Sequence, residues 1–175
     1  MVDVSHDFLR PVMHRQAILV DGTLGSGRDS KFLLKRAKKV VAYEVQAQAI
    51  EKAKKCFSPN ELDRLEIRHE SHETIKDLDE SIDGAIFNFG WWPDGDTNIT
   101  TIPETSLKAV QAAFDHLKPK GRMALVFYPH MAGKAEAELI ESWLKTLDHR
   151  AVPTEKVTIL NADNAPFALL VEKRR

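Results

Sequence analysis

Gln16-Ala17-Ile18-Leu19-Val20-Asp21-Gly22-Thr23-Leu24-Gly25-Ser26-Gly27-Arg28-Asp29-Ser30 is the stretch that decides the fold. An apolar run ends in a carboxylate, glycines follow, and then Phe32, Leu33 and Leu34 sit beside cationic residues. That order predicts a strand over 16–21, a tight turn, and a helix over 30–37. Working outward, 39–44 repeats the strand signal and 47–57 the helical one. Further strands are expected at 65–68, 83–88 and 121–127. Before the last of these, 106–117 places Leu107, Val110, Ala113, Phe114 and Leu117 on one helical face. Buried strands alternating with helices need crossover connections, so the expected architecture is α/β, a mostly parallel sheet with helices on both faces. The tail departs from the alternation. A helix over 134–147 precedes two apolar runs, 157–160 and 167–171, separated by a turn containing Asp163, Asn164 and Pro166, which reads as a C-terminal antiparallel hairpin and brings the sheet to seven strands.

The bulk composition narrows the function classes. With 175 residues, residues 1–175 suit a single domain, and 43% hydrophobic against 29% charged residues argues against disorder. No apolar run reaches the ~20 residues of a membrane span, and the amino-terminal residues lack the order of a signal peptide, so the expected location is cytoplasmic with no membrane partner. Cys56 is the only cysteine, which excludes an internal disulfide and a cysteine metal cluster. It reads as a packed residue on the apolar face of the preceding helix rather than a nucleophile. A net charge of −1 means that a nucleic-acid partner must be held by a local basic patch. Lys35, Arg36, Lys38 and Lys39, with Lys52, Lys54 and Lys55, could supply one, but such runs read more readily as solvated helix faces.

In an open α/β sheet the ligand crevice lies outside the carboxyl ends of the strands. The glycine turn sits at one such end, where glycine tolerates positive φ and lets a ligand approach the backbone. Glu44 closes the next strand, where a carboxylate can accept from both hydroxyls of a ribose. Gly25-x-Gly27 also matches half of a dinucleotide fingerprint, but the third position is Ser30, and Asp21 and Asp29 flank the turn. Carboxylates there suit the ammonium and sulfonium of S-adenosylmethionine better than a pyrophosphate. Methyl donor is therefore favoured over dinucleotide.

Several further motifs join this one: Asp21-Gly22-Thr23-x-Gly25-Ser26-Gly27-x-Asp29-Ser30, Glu44-x-Gln46, Ser71-His72-Glu73, the block from Asn88 through Trp91-Trp92-Pro93-Asp94-Gly95-Asp96 to Thr100-Thr101, and Gly133-Lys134-Ala135-Glu136. Together they resemble the bacterial tRNA methyltransferases that act on the aminomethyl group of modified wobble uridine, a family that also carries the label rRNA methylase. The resemblance runs from about Ile18 onward and implies the class I, Rossmann-like methyltransferase fold. It further implies S-adenosylmethionine as cofactor, the anticodon region of tRNA as partner, and methylation of the exocyclic amine of 5-aminomethyl-2-thiouridine. By the same resemblance Asp21, Thr23, Gly25, Ser26, Gly27, Asp29, Glu44, Gln46, Ser71 and His72 hold the donor. Trp91, Gly95, Asp96, Thr100, Thr101 and Lys134 are the substrate-side candidates. The chain departs from the family at Ser26, Trp91-Trp92 and Asp94, and keeps only His130 of a motif before Gly133. A homodimer is compatible with this reading.

Methyl transfer to an amine needs alignment of nitrogen, methyl and sulfur rather than a side-chain nucleophile. The amine must be neutral, which at pH 7 costs about 4.6 kcal/mol for a group with a lysine-like pKa of ~10.4. Asn88 is the candidate that orients the amine, His130 the candidate proton acceptor with Tyr128 behind it, and Trp91 or Trp92 the candidate stacking surface for a base. His69 and His72 are three apart but lack further ligands nearby, so no metal is expected. The alternatives are the same donor with rRNA or a small amine, a non-catalytic nucleotide-binding module, and a nicotinamide-dependent oxidoreductase.

Overall fold

The computed structural model describes residues 1–90, 102–128 and 131–175. Its strands are β1 (Ile18–Asp21), β2 (Lys39–Tyr43), β3 (Leu65–Arg68), β4 (Ile82–Phe89), β5 (Leu117–Phe127), β6 (Thr154–Val157) and β7 (Phe167–Lys173). The helices are α1 (Val2–Leu9), α2 (Arg28–Leu34), α3 (Ala47–Lys54), the short α4 (Pro59–Leu62), α5 (Pro103–His116) and α6 (Met131–Leu144). All seven strands join one sheet in the order β3-β2-β1-β4-β5-β7-β6. The pairs among β3, β2, β1, β4 and β5 are parallel, and β7 runs antiparallel to both β5 and β6. This is the expected seven-stranded sheet with helices on both faces.

Alternation along each strand divides the core in two. Val20, Val41, Tyr43, Phe87, Leu125 and Phe127 face α5 and α6, while Leu19, Val40, Ala42, Ile86, Ala124 and Val126 face the side covered by α1, α2 and α3. On the first face Phe87, Phe89, Phe127 and Phe167 form a row of stacked rings with centroids 5.4, 5.1 and 5.2 Å apart. Phe87 is fully buried, and truncating such a ring to alanine costs roughly 3–5 kcal/mol. That rigid floor lies directly beneath the glycine turn.

Two sequence expectations are corrected. The first hairpin strand lies at Thr154–Val157 rather than 157–160, leaving Ile159 and Leu160 46% and 100% exposed. β6 is the sheet edge, so its register is set by pairing to β7, and its exposed Glu155 and Lys156 are charges of the kind that discourage edge-to-edge association. An apolar pattern does not report a strand of that kind. Cys56 is exposed rather than packed, because α3 stops at Lys54 and the chain turns, handing the buried position to Phe57.

Candidate functional site

Parallel register brings the carboxyl ends of β1, β2 and β4 to one edge, with Asp21 opposite Ala42 on one side and Ile86 on the other. Asp21 is fully buried there. Its carboxyl group accepts from the Ser30 hydroxyl at 2.7 Å and from the Thr23 amide at 3.0 Å. Burial, reinforced by the charge of nearby Asp29, pushes its pKa up to about 7. Neutral pH therefore falls where this group titrates.

The turn that follows is tied to both neighbouring strands. Leu24 N–H donates to the Tyr43 carbonyl at 3.0 Å, and Gly25 N–H donates to one Glu44 oxygen at 3.0 Å while Gln46 N–H donates to the other at 2.9 Å. Each Glu44 oxygen keeps a lone pair for a further donor. On the other side the amide of Asn88 donates to Thr23 Oγ1 at 2.7 Å. Gly25 and Gly27 have φ of +47° and +80°, which side chains rarely adopt. A Cβ on Gly27 would meet the Phe57 ring at 2.8 Å, whereas one on Gly25 would find only the Thr23 carbonyl, at 3.9 Å. Gly25 thus turns its bare face to open space.

Asp29, in the first turn of α2, is buried between two side chains. One oxygen is 2.7 Å from His6 Nε2 and the other 3.5 Å from Asn88 Nδ2. A carboxylate can only accept, so the Asn88 NH2 must face it and the amide oxygen must face away. Asn88 Oδ1 is the one buried side-chain polar atom among the described residues without a hydrogen-bond partner. Such an atom costs about 1–3 kcal/mol unless something completes it.

The donor-side candidates Asp21, Thr23, Gly25, Gly27, Asp29, Glu44 and Gln46 therefore share one site with Asn88. Ser26 is exposed at the tip of the same turn. Ser71 caps the 3-10 turn His72–Asp77, accepting from Glu73 N–H at 3.4 Å. His72 is buried beneath the turn, edge-on to Phe87 and Phe89 and hydrogen-bonded to the Gly22 backbone, and burial lowers its pKa so that it stays neutral at pH 7. His69 bonds instead to the Val45 carbonyl at 3.0 Å. Lys134 is exposed in the first turn of α6. Trp91, Gly95, Asp96, Thr100, Thr101 and His130 lie outside the described residues. Of the basic runs, Lys39 pairs with Glu66 at 2.8 Å and Lys54 with Glu51 at 3.1 Å.

Sequence reasoning missed His6, Ser30 as the partner of Asp21, and Val45, an apolar residue 47% exposed beside Glu44. It also missed the buried pair of Ser106 on α5 and Glu136 on α6. Ser30 was readable in principle, standing nine positions after Asp21 in the first turn of a helix that must fold back over the strand end. His6 carried no local signal.

Residues 40–173 match the family model described as "Putative rRNA methylase". The chain belongs to that family. Among solved structures of similar chains is a "putative methyltransferase" from Streptococcus mutans in complex with SAH, 32% identical, covering 98% of this chain and 97% of the other at a TM-score of 0.91. A "putative rRNA-methylase" from Clostridium thermocellum is 28% identical, covering 98% and 96% at a TM-score of 0.91. A curated relative, the chloroplastic tRNA (mnm(5)s(2)U34)-methyltransferase of Arabidopsis thaliana, is 27% identical over 98% of this chain and 69% of its own length. Family and topology agree on a class I methyltransferase. Within this rRNA methylase family member a cleft of about 550 Å³ between Pro11, Asp83, Lys118 and Arg122 lies at the opposite end of the sheet. Among the described residues no helix is long and apolar enough to cross a membrane.

Proposed function

We propose that this chain transfers a methyl group from S-adenosylmethionine to the exocyclic amine of 5-aminomethyl-2-thiouridine at the wobble position of tRNA. When bound, S-adenosylmethionine supplies an electrophilic methyl on a sulfonium. The donor set fits that molecule: the acidic side chains of Asp29 and Glu44 flank a turn whose Gly25 leaves room for a ligand, and the SAH-bound relative supports the same donor class. Glu44 is the residue to accept from ribose hydroxyls, Gly25, Ser26 and Gly27 line the approach, and Val45 offers an apolar surface to the purine. Gln46 and Ser71 border the same side. Asp21, Thr23 and His72 hold the turn in shape rather than touch the ligand.

The observation that carries the reading is Asn88 Oδ1 at the end of β4, buried and without a hydrogen-bond partner among the described residues. An acceptor atom held there takes an N–H of the incoming amine and points its lone pair, while the second proton leaves to a base, the role proposed for His130. Trp91 is proposed to stack on the uridine, with Gly95, Asp96, Thr100, Thr101 and Lys134 contacting the anticodon loop. The wobble assignment is supported by the resemblance of the motif block and by the Arabidopsis relative. The test is methyl transfer from labelled S-adenosylmethionine onto tRNA lacking the final methyl, followed by mass spectrometry of the nucleosides. Label in 5-methylaminomethyl-2-thiouridine is expected. Label appearing only in rRNA or only in a free amine would overturn the substrate while leaving the donor in place.

A further inference from the structure

We propose that His6, contributed by the amino-terminal helix α1, is a positioning residue that sets the Asn88 side chain through Asp29. The proposal rests on the reading of Asn88 given above. His6 is 8% exposed, and its ring lies parallel to Phe32 with centroids 3.8 Å apart. A ring that served only to pack there could be phenylalanine or leucine, with no polar atoms to desolvate. What the imidazole adds is Nε2, 2.7 Å from Asp29 Oδ1. Because the carboxylate accepts, Nε2 carries the hydrogen. The ring cannot swing away: Phe32 fixes its plane, and α1 is anchored by fully buried Leu9 and by Arg122, which donates to the Phe8 carbonyl at 2.9 Å.

With one oxygen committed to His6, Asp29 presents the other to Asn88 Nδ2 at 3.5 Å, a long contact of the sort that tightens when a ligand fills the site. The Asn88 backbone is already held by Thr23. Its amide plane is therefore the last freedom left, and Asp29 decides which end of that amide faces the cleft. Oδ1 outward offers an acceptor to an amine N–H, whereas Nδ2 outward would donate to the amine nitrogen and tie up the lone pair that must attack. Loss of the His6 hydrogen frees the carboxylate to rotate and lets the amide flip. In this way α1 belongs to the catalytic site without touching the substrate, and the chemistry it selects is an N–H-bearing nucleophile.

The experiment compares His6→Leu, which keeps bulk but removes the donor, with His6→Gln, whose amide nitrogen reaches a similar point. His6→Leu is expected to lower kcat on the order of 10- to 100-fold. KM for S-adenosylmethionine should stay within about threefold, and His6→Gln should recover most of the loss. In an Asn88→Ala background His6→Leu should cost nothing further. In the ligand-free protein, the ¹⁵N side-chain amide signals of Asn88 should be sharp in wild type and should shift or broaden in His6→Leu and Asp29→Asn. The proposal is overturned if His6→Leu leaves turnover and the Asn88 signals unchanged. It is equally overturned if the His6→Leu loss multiplies undiminished with Asn88→Ala, or if His6→Gln is as impaired as His6→Leu while both melt with wild type. Wild type that neither binds S-adenosylhomocysteine nor methylates RNA would defeat the proposed function instead, and the amide signals would still report on the His6 link.

Discussion

The two ends of the sheet make opposite use of charge. At the amino end, Asp83 accepts from Lys118 and from the Ile18 amide, each at 2.9 Å, and Glu172 takes Arg122 at 3.2 Å, all around the roomy cleft. At the carboxyl end, Asp21 is buried with a hydroxyl and an amide for company, and Asn88 keeps an oxygen without a partner among the described residues. The carboxylates around the cleft have found their cations and amides, while Asn88 Oδ1 has no partner among the described residues. Volume marks where something could fit, while unfinished hydrogen bonding marks where the fold holds groups in readiness.

The contrast breaks most visibly at the glycine turn. Gly25→Val places a side chain in open space, so strain at φ +47° should cost only about 1–2 kcal/mol of stability. Affinity for S-adenosylmethionine by calorimetry should nevertheless fall on the order of 100-fold, equivalent to about 2.7 kcal/mol. Retained affinity would remove the cofactor from that turn. Next, Asn88→Ala should lower single-turnover methyl transfer on the order of 100-fold while S-adenosylhomocysteine binding stays within about threefold. An Asn88→Ala enzyme with normal turnover would mean that the orphaned oxygen has no chemical role.

The amino end should answer in the opposite currency. Asp83→Ala strips three contacts, including His14 at 3.4 Å, and denaturant unfolding should show a loss of roughly 1–3 kcal/mol with kcat unchanged. A fall in kcat beyond stability would give that cleft a function. The last effect is a slope, small at any one pH step. Because the folded-state pKa of Asp21 is about 7 against an ordinary 3.8, its protonated form contributes stability that is fully present below about pH 4 and lost as pH rises through 7. Asp21→Asn should flatten the stability profile across that window, by at most one proton, or about 1.4 kcal/mol per pH unit. Parallel wild-type and variant profiles would show that Asp21 does not titrate there.

Most of the sheet could be read from the chain because β1, β2, β4 and β5 are buried on both faces, and such strands announce themselves as apolar runs. The carboxylates at their ends were readable for the same reason, since a strand terminus fixes where its last side chain sits. The edge strand β6 was misplaced because its register depends on a partner rather than on its own pattern. His6 was invisible for a deeper reason. Its meaning lies in a contact with Asp29, 23 residues away, and a helix sequence states which face is apolar but not what its single imidazole will meet.

Strand β7 follows all other strands in the chain yet sits inside the sheet, wedged between β5 and β6. It is a keystone laid last. While the ribosome is still making residues 167–173, the flank of β5 has no neighbour, and unpaired apolar strand flanks are where nascent chains stick to one another. A premature stop ahead of Phe167 would therefore leave more than a shortened enzyme: it would leave an open seam, and the cell would meet that product as an aggregate or as chaperone cargo.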